Sequence, residues 1–506
     1  MLAKIYSGTV IGLDGVLIEV EVDVASRGFP TFTIVGLPSK AVDEAKDRVR
    51  TAIVNTNFAM PESRLTVNLA PADIPKNGSS FDLPIAVGIL VASGFISVES
   101  VISSLFVGEL SLQGQVRRVP GIISLAAMAK EKGITKLYLP LENAEEATLV
   151  RGIEIYPLRS LEELILHLNG VSPQIPLPEK IYDFSSAPAY EFDFSDVKGQ
   201  AYAKRALLIA AAGFHNIHLK GPPGAGKTML CRAFPSIMPP LEEQEMLEVS
   251  RIYSSVGLFT SFELLSMRPF RSPHHTTSRI GLIGGGTIPT PGEISLSHRG
   301  TLFLDELPEF PHTVLESLRQ PLEDGQVTIS RAASSFTFPC RFLLLAASNP
   351  CPCGYRGHPT KPCTCSPNHI EKYKKRISGP LLDRIDMHLS IVPVQEKDLS
   401  QDQVADSSKE LQKRVIETQT IQRERFGNTS VRVNSQIRAN DVKKYCPLSE
   451  EATSLLKQAT EHFSLSARSY FKIIRVARTI ADLEKRTIIE LKDVAESLQY
   501  RTQEEL

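Results

Sequence analysis

The sequence predicts an α/β protein built on a P-loop core, with an α+β domain before that core and helices after it. Three observations predict this. Gly221-Pro-Pro-Gly-Ala-Gly-Lys-Thr228 matches G-x-x-x-x-G-K-[ST], with a strand-like run before it and a helix-like run after it. Thr301-Leu-Phe-Leu-Asp-Glu306 is an apolar strand that ends in two carboxylates. The N-terminal stretch alternates apolar and polar residues with period two, and the C-terminal stretch spaces its apolar residues as a helix does.

Composition bounds the reading. A chain of 506 residues is too long for one core, and roughly three domains is the expectation. Hydrophobic residues make up 42% and charged residues 22%, an ordinary globular balance. The net charge is −1, so any nucleic-acid site must be a local patch or a pore formed by assembly. The start of the chain carries no signal-peptide h-region. The longest apolar run, Leu83 to Ile96, has 14 residues and is too short to span a bilayer. The expectation is a cytoplasmic protein with no membrane partner.

Four segments follow along the chain. Residues 1–170 form an α+β domain. There Val16, Ile18, Val20, Val22 and Val24 alternate with Leu17, Glu19, Glu21 and Asp23, and Leu65, Val67 and Leu69 repeat the pattern. Ala41 to Asn55 and Ile122 to Lys132 read as helices in this domain. Residues 171–190 are rich in proline and serine and read as a linker. Residues 191–396 hold the P-loop. Residues 397–506 are charged and helical, with Ile473, Ile474, Ala477, Ile480 and Ala481 on one face.

The P-loop, Gly221, Pro222, Pro223, Gly224, Ala225, Gly226, Lys227 and Thr228, turns backbone N–H groups onto phosphate oxygens. Asn216 to Lys220 reads as the strand before it. The following helix adds the positive end of its dipole. Lys227 reaches the β- and γ-phosphates of ATP, and Thr228 offers a hydroxyl to Mg²⁺. Asp305 is placed to hold Mg²⁺ and Glu306 to polarise the attacking water. Phe342 to Asn349 is a second buried strand, and it ends in an amide that can hold that water. Arg384, in Leu381-Leu-Asp-Arg-Ile-Asp386, is read in two ways. It either stabilises transition-state charge on a neighbouring subunit's nucleotide or forms a salt bridge with Asp383 or Asp386.

Several strings are similar to a known family. Phe194 to Gln200 resembles the nucleotide-base pocket of AAA+ ATPases. Arg271-Ser-Pro-His-His-Thr, Gly284-Gly-Gly, Pro291-Gly-Glu-Ile-Ser-Leu, Leu302 to Phe310, Ser348-Asn-Pro-Cys-Pro-Cys-Gly354 and Ser378 to Asp386 resemble the ComM/YifB family of magnesium-chelatase-like AAA+ proteins. The resemblance covers nearly the whole chain. It implies that Asn349 is sensor 1, Arg384 a trans-acting arginine finger and Arg468 the sensor 2 arginine. It also implies that 397–506 is a helical lid of the chelatase type. By the same resemblance the protein is a homo-hexameric ATPase that acts on single-stranded or branched DNA and promotes branch migration in natural transformation. The alternative is a chelatase-type chaperone that remodels a metal-inserting protein.

Residues 1–170 resemble the proteolytic domain of Lon. Ser80, in Pro75-Lys-Asn-Gly-Ser-Ser80, falls on the Lon nucleophile and Gly108 to Val116 on the following hairpin. Ile123 stands where the lysine base belongs, and a serine without a base is a weak nucleophile. The domain is therefore expected to be non-proteolytic, with Ser80 a helix N-cap.

Cys351, Cys353, Cys363 and Cys365 form a C-x-C…C-x-C set that suits tetrahedral Zn²⁺, with free thiols as the alternative. His358 and His369 are further candidate ligands, whereas Cys231, Cys340 and Cys446 read as packing residues. His274 and His275 are expected to hydrogen-bond or to face a pore. Glu323 to Phe338 reads as a β-hairpin, with Arg331 as a candidate DNA contact. Lys372, Lys374, Lys375 and Arg376 flank Tyr373 and read either as a DNA contact or as a solvated helix face.

Overall fold

The computed structural model describes residues 1–26, 28–76, 78–179, 190–259, 267–286, 289–330, 335–393 and 407–501. They divide into two compact units. One contains residues 1–179 with 243–259, and the other contains 190–242 with 267–501.

The first unit is a mixed sheet covered by helices. Its strands are β1 (Leu2–Ile11), β2 (Asp14–Val24), β3 (Thr31–Val35), β4 (Arg64–Ala70) and β5 (Ser104–Phe106). A small hairpin, β6 (Glu109–Leu110) and β7 (Val116–Arg117), precedes β8 (Lys136–Pro140) and β9 (Glu154–Leu158). The seven-stranded sheet runs β3-β4-β2-β1-β5-β8-β9 among the described residues. Alternation sets its buried face: Ile18, Val20 and Val22 of β2 and Leu65, Val67 and Leu69 of β4 are buried. The apolar run that begins at Leu83 forms the helix Asp82–Ala92, and every one of its residues is buried. No helix among the described residues is long and apolar enough to cross a membrane.

Two local readings change in this unit. The helix expected over 41–55 is two helices, Lys40–Asp43 and Ala45–Asn55, broken at Glu44. Ser80 does not cap the helix Asp82–Ala92, whose N-cap is Phe81 and makes no side-chain cap bond. The Ser80 carbonyl instead accepts the Gly108 N–H at 3.1 Å. Asp82 is buried, and Arg48 holds it through Nε at 2.7 Å and Nη2 at 3.0 Å. Ile123 is fully buried, so no base stands at that position.

The helix Glu243–Ser255 lies between the P-loop and the Asp305-Glu306 motif in sequence, inside the block read as 191–396. It packs in the first unit instead, against the helix Ile122–Glu131. The Gly121 N–H donates to the Ser254 carbonyl at 2.8 Å, and Arg251 donates to the Leu13 carbonyl at 2.9 Å. Its buried face, Met246, Val249 and Ile252, supplies the reason.

The second unit is built on five parallel strands. They are β10 (Ile217–Lys220), β11 (Phe270–Arg271), β14 (Thr301–Leu304), β17 (Leu343–Ser348) and β18 (Met387–Ser390), in the order β11-β14-β17-β10-β18. Every residue of β14 and of β17 is buried, as a parallel sheet covered on both faces requires. Two short pairs leave this sheet. One is β12 (Gly284–Gly285) with β13 (Thr290–Pro291), and the other is β15 (Gln326–Ser330) with β16 (Ser335–Pro339). The second pair is the hairpin expected before β17, and the candidate contact Arg331 lies outside the described residues.

The helices Ser408–Phe426, Glu450–Phe463, Ala467–Leu483 and Leu491–Gln499 belong to the same unit as the sheet. A buried ionic network ties the first of these helices to the third. Asp482 accepts Arg425, Arg478 and Asn434, and Asn434 also donates to Thr479 at 3.0 Å. Thr479 meets His215 at 2.8 Å, which ties the helix Ala467–Leu483 to the turn that follows the helix Ala201–Gly213.

Candidate nucleotide site

Strand register brings three distant motifs together. Lys220 of β10 pairs with Ser348 of β17, so Gly221 and Asn349 emerge side by side. Leu304 of β14 pairs with Ala346 of β17, so Asp305 emerges next along the same edge. In an open parallel sheet this carboxyl edge, where the strand order reverses, is where ligands bind.

The P-loop connects β10 to the helix Lys227–Ala233. Gly224 and Gly226 take φ of +76° and +84° with open space where a Cβ would stand, so the loop can close its amides round a phosphate. Lys227 is buried. Its ammonium donates to the carbonyls of Gly221 at 2.7 Å and Pro222 at 2.9 Å and to Asn349 Oδ1 at 3.2 Å. Burial lowers its pKa against the pull of Asp305 and Glu306. The Thr228 hydroxyl donates to Asp305 Oδ2 at 2.9 Å. A hydroxyl and a carboxylate oxygen so placed form a hard-donor pair of the kind Mg²⁺ takes, and a bound ion would neutralise phosphate charge there.

Glu306 follows in a left-handed turn, φ +52°, and its N–H donates to Asp305 Oδ1 at 2.9 Å. Its side chain is half exposed, and Nδ1 of His275 lies 3.6 Å from it. His275 follows β11, which neighbours β14, and its ring lies tilted against that of His274 with centroids 4.0 Å apart. The pair therefore stands beside the acidic edge. Sequence reading left this placement open, because only the β11–β14 register reveals it. A bidentate pair, Arg271 to Glu293 at 2.6 and 2.8 Å, fixes the start of this loop.

Gln200 ends the segment that begins at Phe194. Its φ is +56°, and its amide donates to the carbonyls of Ala225 at 3.1 Å and Val392 at 2.8 Å. Phe194 and Val197 are buried below it.

Arg384 and Arg468 meet elsewhere. They line a cavity of about 600 Å³ whose walls contain none of residues 221–228. The partner of Arg384 is neither Asp383 nor Asp386 but Glu323, which also binds Arg468 at 2.7 Å. Asp386 turns away, accepting the Asn216 N–H at 3.1 Å.

The four cysteines converge. Their sulfurs lie within 4.8 Å of one another. Cys351 to Cys353 is 3.4 Å, and Cys363 is 3.6 Å from both. Zn–S bonds of about 2.3 Å in a tetrahedron give S···S edges of about 3.8 Å, so the set fits Zn²⁺. The His358 Nδ1 accepts the Thr360 N–H at 3.2 Å and lies outside the set. Cys231, Cys340 and Cys446 are buried singly, as packing residues are. Gly354, at φ +84°, closes the first cysteine turn, and a Cβ there would come within 2.6 Å of Pro223. The cysteine loop thus packs on the P-loop.

The basic run is largely spoken for within the chain. Lys375 pairs with Glu371 at 2.7 Å and Arg376 with Glu309 at 2.7 Å. Tyr373 is buried and presents no ring for stacking, Lys374 is half-buried and Lys372 is exposed.

A P-loop, a carboxylate strand and an amide strand on one parallel sheet, followed by a helical domain, define an AAA+ ATPase of the magnesium-chelatase type. The comparisons place it further. The family model described as magnesium chelatase, subunit ChlI, matches residues 193–399. The model for subunit ChlI of Mg-chelatase matches 20–143, and that for the subunit ChlI C-terminal region matches 405–501. The chain is 42% identical to competence protein ComM of Haemophilus influenzae, over 99% of this chain and 97% of that one. It is 40% identical to YifB of Salmonella typhimurium over the same shares. Lon protease 2 of Bacillus subtilis is 29% identical over 30% of each chain. The chain belongs to the ComM/YifB family of magnesium-chelatase-like proteins.

Proposed function

We propose that the chain is a cytoplasmic, ring-forming motor that hydrolyses ATP, moves on single-stranded or branched DNA and promotes branch migration in recombination. The observation that carries this reading is the likeness to a competence protein over nearly the full length of both chains. Lys227 and the P-loop amides would hold the phosphates, and Thr228 with Asp305 would hold Mg²⁺. Glu306 would polarise water that Asn349 helps to position. Arg384 and Arg468 would act on the nucleotide of the next subunit in a homo-hexamer, since their cavity excludes their own P-loop. Residues 1–170 with the helix Glu243–Ser255 would form a non-proteolytic scaffold, 171–190 a linker, the rest of 191–396 the motor core and 397–506 its lid. The exposed Lys372 and the β15–β16 hairpin are the DNA-contact candidates of this reading.

The magnesium-chelatase family models favour a second reading, a chaperone that remodels a metal-inserting protein. One measurement separates the two. ATP turnover of the purified chain should rise several-fold with single-stranded or branched DNA. Turnover indifferent to DNA at low salt would favour the chaperone.

The cysteine set is proposed to hold structural Zn²⁺. Purified protein should carry about one zinc per chain by elemental analysis. Cys351→Ser with Cys353→Ser should lose it and melt at a lower temperature, because metal binding is coupled to folding. Metal-free, stable protein prepared without chelator would sink this assignment.

A further inference from the structure

Glu323 is the group that draws the two arginines together. One carboxylate oxygen accepts Arg384 Nη2 and the other accepts Arg468 Nη2. Arg384 comes from the turn after the helix Gly379–Leu382, and Arg468 from the first turn of Ala467–Leu483. Two guanidinium groups on one pair of anionic oxygens is the arrangement that a phosphate takes with arginines. Arg384 has donor capacity left over: its Nε is buried with no hydrogen-bond partner among the described residues. Arg341, Arg438, Lys472 and Arg475 line the same cavity, together with Asp324, Asp383 and Asp386. Burial pushes the Glu323 carboxyl up, but Arg384 and Arg468 outweigh it and hold it below the usual range. Glu323 and Arg468 are half exposed, so their pair is weak enough to be exchanged for a more highly charged anion, whereas the Arg384 guanidinium is largely buried.

The position of Glu323 in the chain adds a consequence. It lies at the end of the helix Arg319–Asp324, three residues before the hairpin strand β15 begins at Gln326. Gly325, at φ +65°, makes the turn between them, and its carbonyl accepts the Cys340 N–H at 2.9 Å just beyond β16. Whatever moves Glu323 therefore acts on the base of the hairpin.

We propose that Glu323 is a positioning residue that stands in for the γ-phosphate of the neighbouring subunit. It holds Arg384 and Arg468 as a pair while the interface is empty, and the incoming phosphate displaces it and frees the base of the β15–β16 hairpin. This rests on the reading of Arg384 and Arg468 as trans-acting. It predicts a gain on mutation, because Glu323 competes with the phosphate, whereas a structural brace predicts a loss.

The test is assembly of the full chain by sedimentation velocity, with ATP and with ADP, in the Glu306→Gln background so that ATP persists. Glu323→Gln and Glu323→Ala should assemble with ATP at about tenfold lower protein concentration, a shift within the usual range of coupling between sites. Assembly with ADP should change little. Glu323→Asp keeps the charge and should stay near the parent chain. Weaker or unchanged ATP-dependent assembly in the Gln and Ala variants, or failure of both to fold while Asp folds, would make Glu323 a brace and overturn the proposal. A failure of the trans reading looks different: Arg384→Ala would then assemble and hydrolyse as the parent does. If Arg384→Ala is impaired and recovers on mixing with Lys227→Ala, but Glu323→Gln gives no gain, the present proposal alone is wrong.

Discussion

Glu306→Gln is expected to bind ATP as the parent chain does and to hydrolyse it about 10²–10⁴-fold more slowly, the range for losing a group that takes a proton in the transition state. The geometry separates the two effects. Lys227 is held by Gly221, Pro222 and Asn349, and Thr228 by Asp305. None of these hydrogen bonds is made to the Glu306 carboxylate, which projects half exposed beside His275. The amide preserves shape and removes the charge that polarises water. Lys227→Ala is the contrasting variant, since it removes the cation from the phosphate loop and should lose nucleotide binding itself. Equilibrium ATP binding and single-turnover hydrolysis, measured side by side, check the pair. Near-normal turnover in Glu306→Gln would overturn its role.

Arg384→Ala should fold and bind ATP yet hydrolyse it poorly, because an arginine supplied across an interface is worth roughly 10³–10⁵ in rate where it has been measured. Binding should survive because the P-loop lies outside the Arg384 cavity. Mixing Arg384→Ala with Lys227→Ala should restore part of the activity. At some interfaces an intact Arg384 would then face an intact P-loop. Turnover should also fall steeply on dilution, as rings separate. Activity proportional to protein at every dilution, with no recovery on mixing, would show that the site is complete within one chain.

The nucleotide motifs were legible because their chemistry is local. A glycine loop that ends in Lys227 and Thr228, or an apolar strand that ends in Asp305 and Glu306, needs only neighbouring residues to be recognised. The four cysteines were legible for the same reason, since a short loop with glycine and proline brings both pairs back together. The partner of Arg384 was not. Local reading offered Asp383 and Asp386, one and two residues away, but the short turn after the helix Gly379–Leu382 sends the guanidinium towards Glu323, 61 residues earlier. The capping role read for Ser80 failed in the same way. The backbone there is fixed by the Gly108 N–H on its carbonyl, a contact that pairing elsewhere in the unit creates.

By itself the sequence determined the class of fold, the phosphate loop, the acidic and amide strand ends, the hairpin before β17 and the family. Each is written in periodicity or in residues adjacent along the chain. Only the tertiary structure decided that β10, β14 and β17 lie side by side, so that Lys227, Asp305 and Asn349 share one edge. It alone put His275 beside Glu306 and set Glu323 between Arg384 and Arg468. It alone moved the helix Glu243–Ser255 out of the motor block and onto the helix Ile122–Glu131. The physical reason is common to all of these. Strand order and the burial of an apolar helix face are settled by competition among surfaces far apart in the chain, and no window of neighbouring residues contains that competition.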